Sequence, residues 1–242
     1  MSSISKFLQP VMAACFAVTL FSCNNDGEKK DDKTAAKDST SVSTNAVPEF
    51  KPFKLMIVEH KVASFGPWEA GYLMHDSMRV ANGLHQYRLG RGLDDSNMVI
   101  VVNKMDDIAK AKAFASSPDL KAAMKKAGVV SAPTVSYIEL IRNDSSKIDQ
   151  LDRVLVSHKV KDFAAWLKAY DGEGVAKRME NGLIDRAVGR GVDDSNMVYI
   201  AFAISDNVKA TARMNSPELK KIMTDAGVTG PPTIFKYRIV KQ

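Results

Sequence analysis

Two histidines stand in matching contexts, His60-Lys61-Val62 and His158-Lys159-Val160. Each is followed by an aromatic series at helical spacing: Phe65, Trp68 and Tyr72 after the first, Phe163, Trp166 and Tyr170 after the second. An imidazole can give or take a proton near neutral pH. Indole and phenol rings supply flat apolar walls with one polar edge. His75 lies a turn beyond Tyr72 on the same helical face, and Glu173 holds that place after Tyr170. Arg91 and Arg190 sit in two near-identical stretches, GRGLDDSNMV and GRGVDDSNMV. An arginine directed into an apolar cleft grips a carboxylate through two parallel hydrogen bonds. Together these residues could build a pocket for a small apolar or aromatic molecule, with His60 and His75 as proton carriers were a reaction to occur.

Each group also has a plainer reading. The histidines can be half-buried fold elements, since an enzyme rarely needs two identical sites. The aromatic stripes can be helix core. The arginines can pair with Asp94 or Asp95, and Asp193 or Asp194, across a hairpin, where an exposed pair is worth about 0–1 kcal/mol. An apolar cavity above about 300 Å³ lined by Trp68, Tyr72, His75 and Arg91 would favour the ligand-binding version, and solid packing of those side chains a purely structural envelope protein.

Several chemistries lack their motifs. There is no H-E-x-x-H metal spacing, no G-x-S-x-G elbow and no G-x-x-x-x-G-K-[ST] phosphate loop. The sequence therefore calls for no metal and no cofactor. The formal charge of +6 comes from scattered lysines and arginines, without a basic run or an aromatic-basic strip, which argues against nucleic-acid binding.

The N-terminus reads as an export signal. Lys6 precedes an apolar stretch from Val11 to Phe21, too short to span a bilayer stably. It ends in Leu20-Phe21-Ser22-Cys23, which resembles the lipobox of bacterial lipoproteins. That resemblance implies cleavage before Cys23, acylation of Cys23 and a membrane anchor. Only Cys15 accompanies Cys23 among the 2 cysteines, so the mature chain would carry no further thiol. Residues 23–50 are charged and rich in Ser and Thr, and read as a flexible tether. Asn24, where an aspartate would favour inner-membrane retention, suggests the outer membrane of a Gram-negative cell.

The remainder is a duplication. The stretch SPDLKAAMKKAGVVSAPTV (Ser117 to Val135) returns as SPELKKIMTDAGVTGPPTI (Ser216 to Ile234). The copies occupy residues 51–142 and 152–242, joined by residues 143–151. Each reads as strand, helix, strand, strand, helix, strand. LMIVEHKV and RVLVSHKV are β-branched runs of strand length. Asn-Gly at Asn82 and Asn181 suits a helix stop. Ser117 and Ser216 are N-caps followed by proline. Along one strand Met197, Tyr199 and Ala201 alternate with Val198, Ile200 and Phe202, so both faces call for burial.

This βαββαβ order is ferredoxin-like. Taken with the duplication and the His-Lys-Val…Phe…Trp opening, it resembles the dimeric α+β barrel superfamily, which includes antibiotic-biosynthesis-monooxygenase-like proteins. The resemblance implies an α+β fold in which two antiparallel sheets pack face to face as a barrel within one chain. The protein would be a monomer carrying an internal pseudo-dimer, or a dimer. Within that superfamily the haem-degrading branch uses an Asn, Trp and His set. Trp68 and His75 match in type, but no asparagine aligns with them, so haem degradation is not implied. The expected role is non-catalytic binding of a small molecule or partner at the cell envelope, through Trp68, Tyr72, His75 and Arg91, and through His158, Trp166 and Arg190. The alternative is a cofactor-independent monooxygenase or isomerase working on an aromatic ligand in the first copy.

Overall fold

The computed structural model describes residues 50–241. The proposed signal (1–22), the lipidation site Cys23 and nearly all of the tether lie outside the described residues.

The first copy contributes β1 (Phe53–Lys61), α1 (Phe65–Met74), α2 (Asp76–Ala81), β2 (Leu84–Gly92), β3 (Met98–Met105), α3 (Ile108–Ser116), α4 (Pro118–Lys126) and β4 (Thr134–Asn143). The second contributes β5 (Asp152–Lys159), α5 (Phe163–Glu173), α6 (Val175–Glu180), β6 (Leu183–Gly191), β7 (Met197–Ile204), α7 (Asn207–Met214), α8 (Pro217–Asp225) and β8 (Thr233–Lys241). All strand pairs are antiparallel. The eight strands close into one barrel in the order β1-β3-β2-β8-β5-β7-β6-β4. The two four-stranded sheets thus face each other across a shared interior and hydrogen-bond along both edges, β2 to β8 and β4 to β6. Closure leaves no unpaired edge.

The alternation along each strand separates two cores. Leu55, Ile57, Ile100, Val102, Ile138, Leu140, Leu155, Tyr237 and Ile239 fill the barrel from both copies. The opposite strand faces pack beneath the helices, with Val99 and Val101 against Trp68, and Val198, Ile200 and Phe202 against the layer containing Trp166.

Each connection holds two helices where the sequence suggests one. α1 stops at His75 and α5 at Gly174, whose φ of 82° and ψ of 151° suit only glycine. α3 and α7 escape the sequence reading altogether. Asp107 and Asp206 cap them, accepting from Lys110 N–H and from Val208 and Lys209 N–H. The same Ser-Pro steps that start α4 and α8 also end the helices before them. Ser117 (ψ 143°) and Ser216 (ψ 141°) are extended, because a following proline disfavours the helical region.

The repeated GRG stretch lies at the closing seams. A methyl group on Gly189 would sit 2.6 Å from Ile138 Cγ2 and 3.0 Å from the Glu139 carbonyl oxygen on the neighbouring β4. One on Gly90 would enter the Tyr237 ring on β8. After the GRG, Asp95 and Asp194 accept from the backbone N–H groups of Asn97 and Asn196, forming the tight turns into β3 and β7.

Candidate functional site

Two cavities lie between the helices and the outer faces of the sheets, one per copy. In the first, His60 projects from β1 and is 3% exposed. Its ring meets Trp68 edge-on at 5.4 Å, and Trp68 stacks on Tyr72 at 5.3 Å. The Arg79 guanidinium covers the Tyr72 ring at 3.7 Å and is tied to Tyr72 O and Asp76. These walls, with His75 and Asn103, enclose about 80 Å³. The second copy repeats the arrangement. His158 meets Trp166 at 5.6 Å, Trp166 stacks on Tyr170 at 5.3 Å, and Arg178 lies over Tyr170 at 4.0 Å, around about 90 Å³.

The polar atoms facing these cavities stand out. Neither ring nitrogen of His60 or His158 has a hydrogen-bond partner among the protein atoms. The same holds for the Tyr72 and Tyr170 hydroxyls and Asn103 Oδ1. A buried polar group left unpaired costs about 1–3 kcal/mol. Burial lowers the pKa of both His60 and His158 to about 4, so both rings are neutral at pH 7. A neutral imidazole offers one donor and one acceptor. Burial likewise pushes the Tyr72 and Tyr170 phenols up, which keeps them as donors. Each cavity is therefore a mainly apolar slot in which uncharged hydrogen-bonding groups stand beside an arginine, Arg79 in copy one and Arg178 in copy two.

The two slots differ at their far ends. In copy two, Glu173 joins the buried Arg178 and Arg213, and Arg178 also grips Asp185 through two hydrogen bonds of 2.8 and 2.7 Å. In copy one His75 replaces Glu173, and Phe114 occupies the place of Arg213. Asn103 stands where copy two has Phe202. Copy one thus keeps an extra uncharged acceptor, whereas copy two ends in a charged network.

His60, Trp68, Tyr72 and His75 converge as their spacing suggests, as do His158 and Trp166. Arg91 and Arg190 do not join them. Arg91 donates to Ser96 O at 2.9 Å and covers the Phe65 ring at 4.2 Å. Arg190 bonds Glu139 across the β4–β6 seam at 2.9 Å. The hairpin pairing is also corrected: Asp95 and Asp194 are taken by Lys61 and Lys159, at 2.8 and 2.9 Å. A bulge between Gln86 and Arg88 turns Tyr87 toward the barrel interior, while Arg91 stays on the helix-side face with Leu89 but beyond the slot, against Phe65. Both enclosed volumes fall well below the roughly 300 Å³ of a drug-sized pocket and well above the ~10–15 Å³ that admits one water. A fitting occupant is a single small ring or a compact apolar group.

Arg79, Arg178 and Asn103 were missed by sequence reasoning. Arg79 and Arg178 carried a usable signal, since both precede the Asn-Gly helix stop by the same interval. Asn103 had none, being one polar residue in an apolar strand. Among the described residues no group of three or more His, Cys, Asp or Glu side chains is placed to hold a metal ion.

No family model matches the sequence, and no curated protein matches it either. Solved structures do. A candidate monooxygenase from Fusobacterium nucleatum superposes with a TM-score of 0.50 at 12% identity, covering 78% of this chain and 93% of that one. A candidate monooxygenase from Lactobacillus acidophilus gives 0.49 at 14% identity over the same shares. A ferredoxin-fold protein related to antibiotic biosynthesis monooxygenases, from Listeria monocytogenes, gives 0.44 at 11%, covering 80% and 98%. The chain's tandem ferredoxin-like α+β fold is shared with the Fusobacterium nucleatum protein. At such identities the likeness extends to fold alone.

Proposed function

We propose that this chain is a lipid-anchored cell-envelope protein that binds a small aromatic or apolar molecule in its two helix-side slots without transforming it. The observation that carries this reading is the set of unpartnered, uncharged polar groups on residues that line an apolar slot: the His60 ring, the Tyr72 hydroxyl and Asn103 Oδ1, and in copy two the His158 ring. A ligand with one hydroxyl or carbonyl would satisfy them while its ring packs on Trp68 or Trp166. The chain's 2 tryptophans line one slot each, so their fluorescence reports the slots separately. Titrating phenol into Trp166→Phe should give a saturable change from Trp68, and into Trp68→Phe a saturable change from Trp166. The absence of saturation in both variants removes the reading.

A second reading, a cofactor-independent oxygenase or isomerase, is favoured by one observation. His60 is neutral at pH 7 and beside Trp68 and Asn103, where it could hydrogen-bond to and orient a substrate hydroxyl. Consumption of a quinol under oxygen, abolished by His60→Ala or His75→Ala, would favour it over simple binding.

Anchoring rests on the lipobox-like Leu20-Phe21-Ser22-Cys23. Cys23→Ser should shift the chain from the membrane fraction to the soluble fraction of cells. A variant that stays with membranes as the wild type does contradicts the anchor. Placement in the outer membrane of a Gram-negative cell follows only if the anchor holds.

A further inference from the structure

The barrel interior is separate from the two helix-side slots and has a polar end. Around most of its length the lining is apolar. At the end where β1 and β5 begin, and where the linker from β4 to β5 crosses, three arginines face a cavity of about 60 Å³: Arg88, Arg153 and Arg186. Tyr87, Tyr237 and Asn143 share that lining.

The partners of these arginines are unequal. Arg186 bonds Asp144 at 3.0 Å and the Ser146 carbonyl at 2.7 Å. Arg153 is only 5% exposed, yet donates through one nitrogen to the Gln150 and Asp152 carbonyls. Arg88 lies over the Tyr87 ring at 4.6 Å and donates to its hydroxyl at 3.3 Å. Among the described residues neither Arg88 nor Arg153 has a carboxylate partner, since the adjacent Asp152 is taken by Arg238. Of the three guanidiniums that line the cavity, Arg186 alone is ion-paired, to Asp144. Glu59, on the strand face shared with Leu55 and Ile57, makes no ion pair with these arginines, and burial raises its pKa. Burial above all, with the like charges of Arg88 and Arg186, lowers the pKa of Arg153 against the opposing pull of Tyr237 and the neighbouring Asp152. A buried cation without an acid is costly unless something supplies the charge.

The sister copy shows that the fold does not require this cluster. Leu55 stands at the position of Arg153, Ala187 at that of Arg88, and Tyr87 at that of Arg186. The arginines are additions to one end of an otherwise apolar interior.

We propose that this end of the barrel is a binding site for a small carboxylate with a short apolar tail, the carboxylate held by Arg88, Arg153 and Arg186 and the tail lying among Leu55, Leu140 and Leu155. The guanidinium fork matches the two oxygens of a carboxylate, and the apolar remainder suits an aliphatic tail better than a second charged group.

Calorimetric titration of the full chain with butyrate tests this. Butyrate should bind saturably, and the isosteric neutral amide, butyramide, should not. Arg153→Leu and Arg88→Ala each install the residue the sister copy carries, so the barrel should be retained. Each should weaken butyrate binding by about tenfold or more, the scale of a lost charge-assisted pair. The unliganded Arg153→Leu protein should melt no lower than wild type, because it removes a buried charge that lacks an acid. Absence of saturable butyrate binding in wild type overturns the proposal. So does equal binding by wild type and both variants. Inorganic phosphate binding where butyrate does not would overturn the carboxylate assignment. Phenol responses from Trp68 and Trp166 are expected to be unchanged in both variants, which separates failure here from failure of the helix-side reading.

Discussion

Acidification from pH 7 to pH 4 should strip the fold of about 3 kcal/mol for each of its two buried histidines, about 6 kcal/mol in all. The sign follows from where the protons bind. In the unfolded chain each imidazole titrates near its ordinary value of 6.5, whereas in the fold burial holds it at about 4. Between those limits the unfolded state carries the extra protons, so stability is full above about pH 6.5 and declines as pH falls toward 4. Asp95 and Asp194 act in a lower window. Hydrogen bonds from Lys61 and Lys159 hold them below the usual carboxylate range, so their contribution fades only at more acid pH. Urea unfolding across a pH series checks the account. His60→Leu and His158→Leu should each remove about half of the steepness between pH 6.5 and 4. An unchanged slope in both would mean that these rings are already protonated or hydrated in the fold.

The barrel seams should be nearly as sensitive. Gly189→Ala places a methyl group against Ile138 Cγ2 and the Glu139 carbonyl oxygen, and Gly90→Ala drives one into Tyr237 beside the Arg238 carbonyl oxygen. Overpacking a core side chain costs about 1–3 kcal/mol. Here part of the obstacle is backbone of a hydrogen-bonded neighbouring strand, which yields less readily. A loss of about 3 kcal/mol or more per substitution is expected, measured by denaturant midpoint. Gly172 is the control: it lies inside α5 with nothing within 4 Å of an added Cβ. Gly172→Ala should stabilise by about 0.5–1 kcal/mol. Equal effects at Gly172 and Gly189 would show that the seam is not close-packed as described.

The glycine result bears on how far the sequence could be read. GRGLDDSNMV and its copy look like a repeated active site, and turn residues explain Asp95 to Asn97 well. The glycines carry a second demand that only the closed barrel reveals, because the strands they meet belong to the other copy. Apolar character on both faces of Met197–Phe202 was enough to call for a second sheet opposite the first. The slot aromatics were legible because Trp68 and Tyr72 keep helical spacing. His75 was legible only as a neighbour of Tyr72, and its place at the break between α1 and α2 was not. α3 was missed because its Ala-Lys repeats in Ile108–Ser116 give little apolar periodicity, although Asp107 is a sound cap. Arg91 and Arg190 were misplaced for a different reason. Alternation places Arg91 on the helix-side face with Leu89, but at the far end of β2 it lies over Phe65 and bonds Ser96 O, while Arg190 is taken by Glu139 on the neighbouring strand. The barrel-end arginines were invisible, since Arg88, Arg153 and Arg186 meet only when the two copies close on each other.

The central claim, that the helix-side slots receive a small aromatic molecule through uncharged polar groups, is tested most directly at the imidazoles themselves. With isotope-labelled histidine, magnetic resonance of the ring nitrogens resolves the 4 histidines of the full chain. At pH 7 the rings of His60 and His158 should be neutral, and phenol should shift both saturably while leaving His85, exposed on Asp106, unmoved. Rings of His60 and His158 that hold their shifts at every phenol concentration would contradict it.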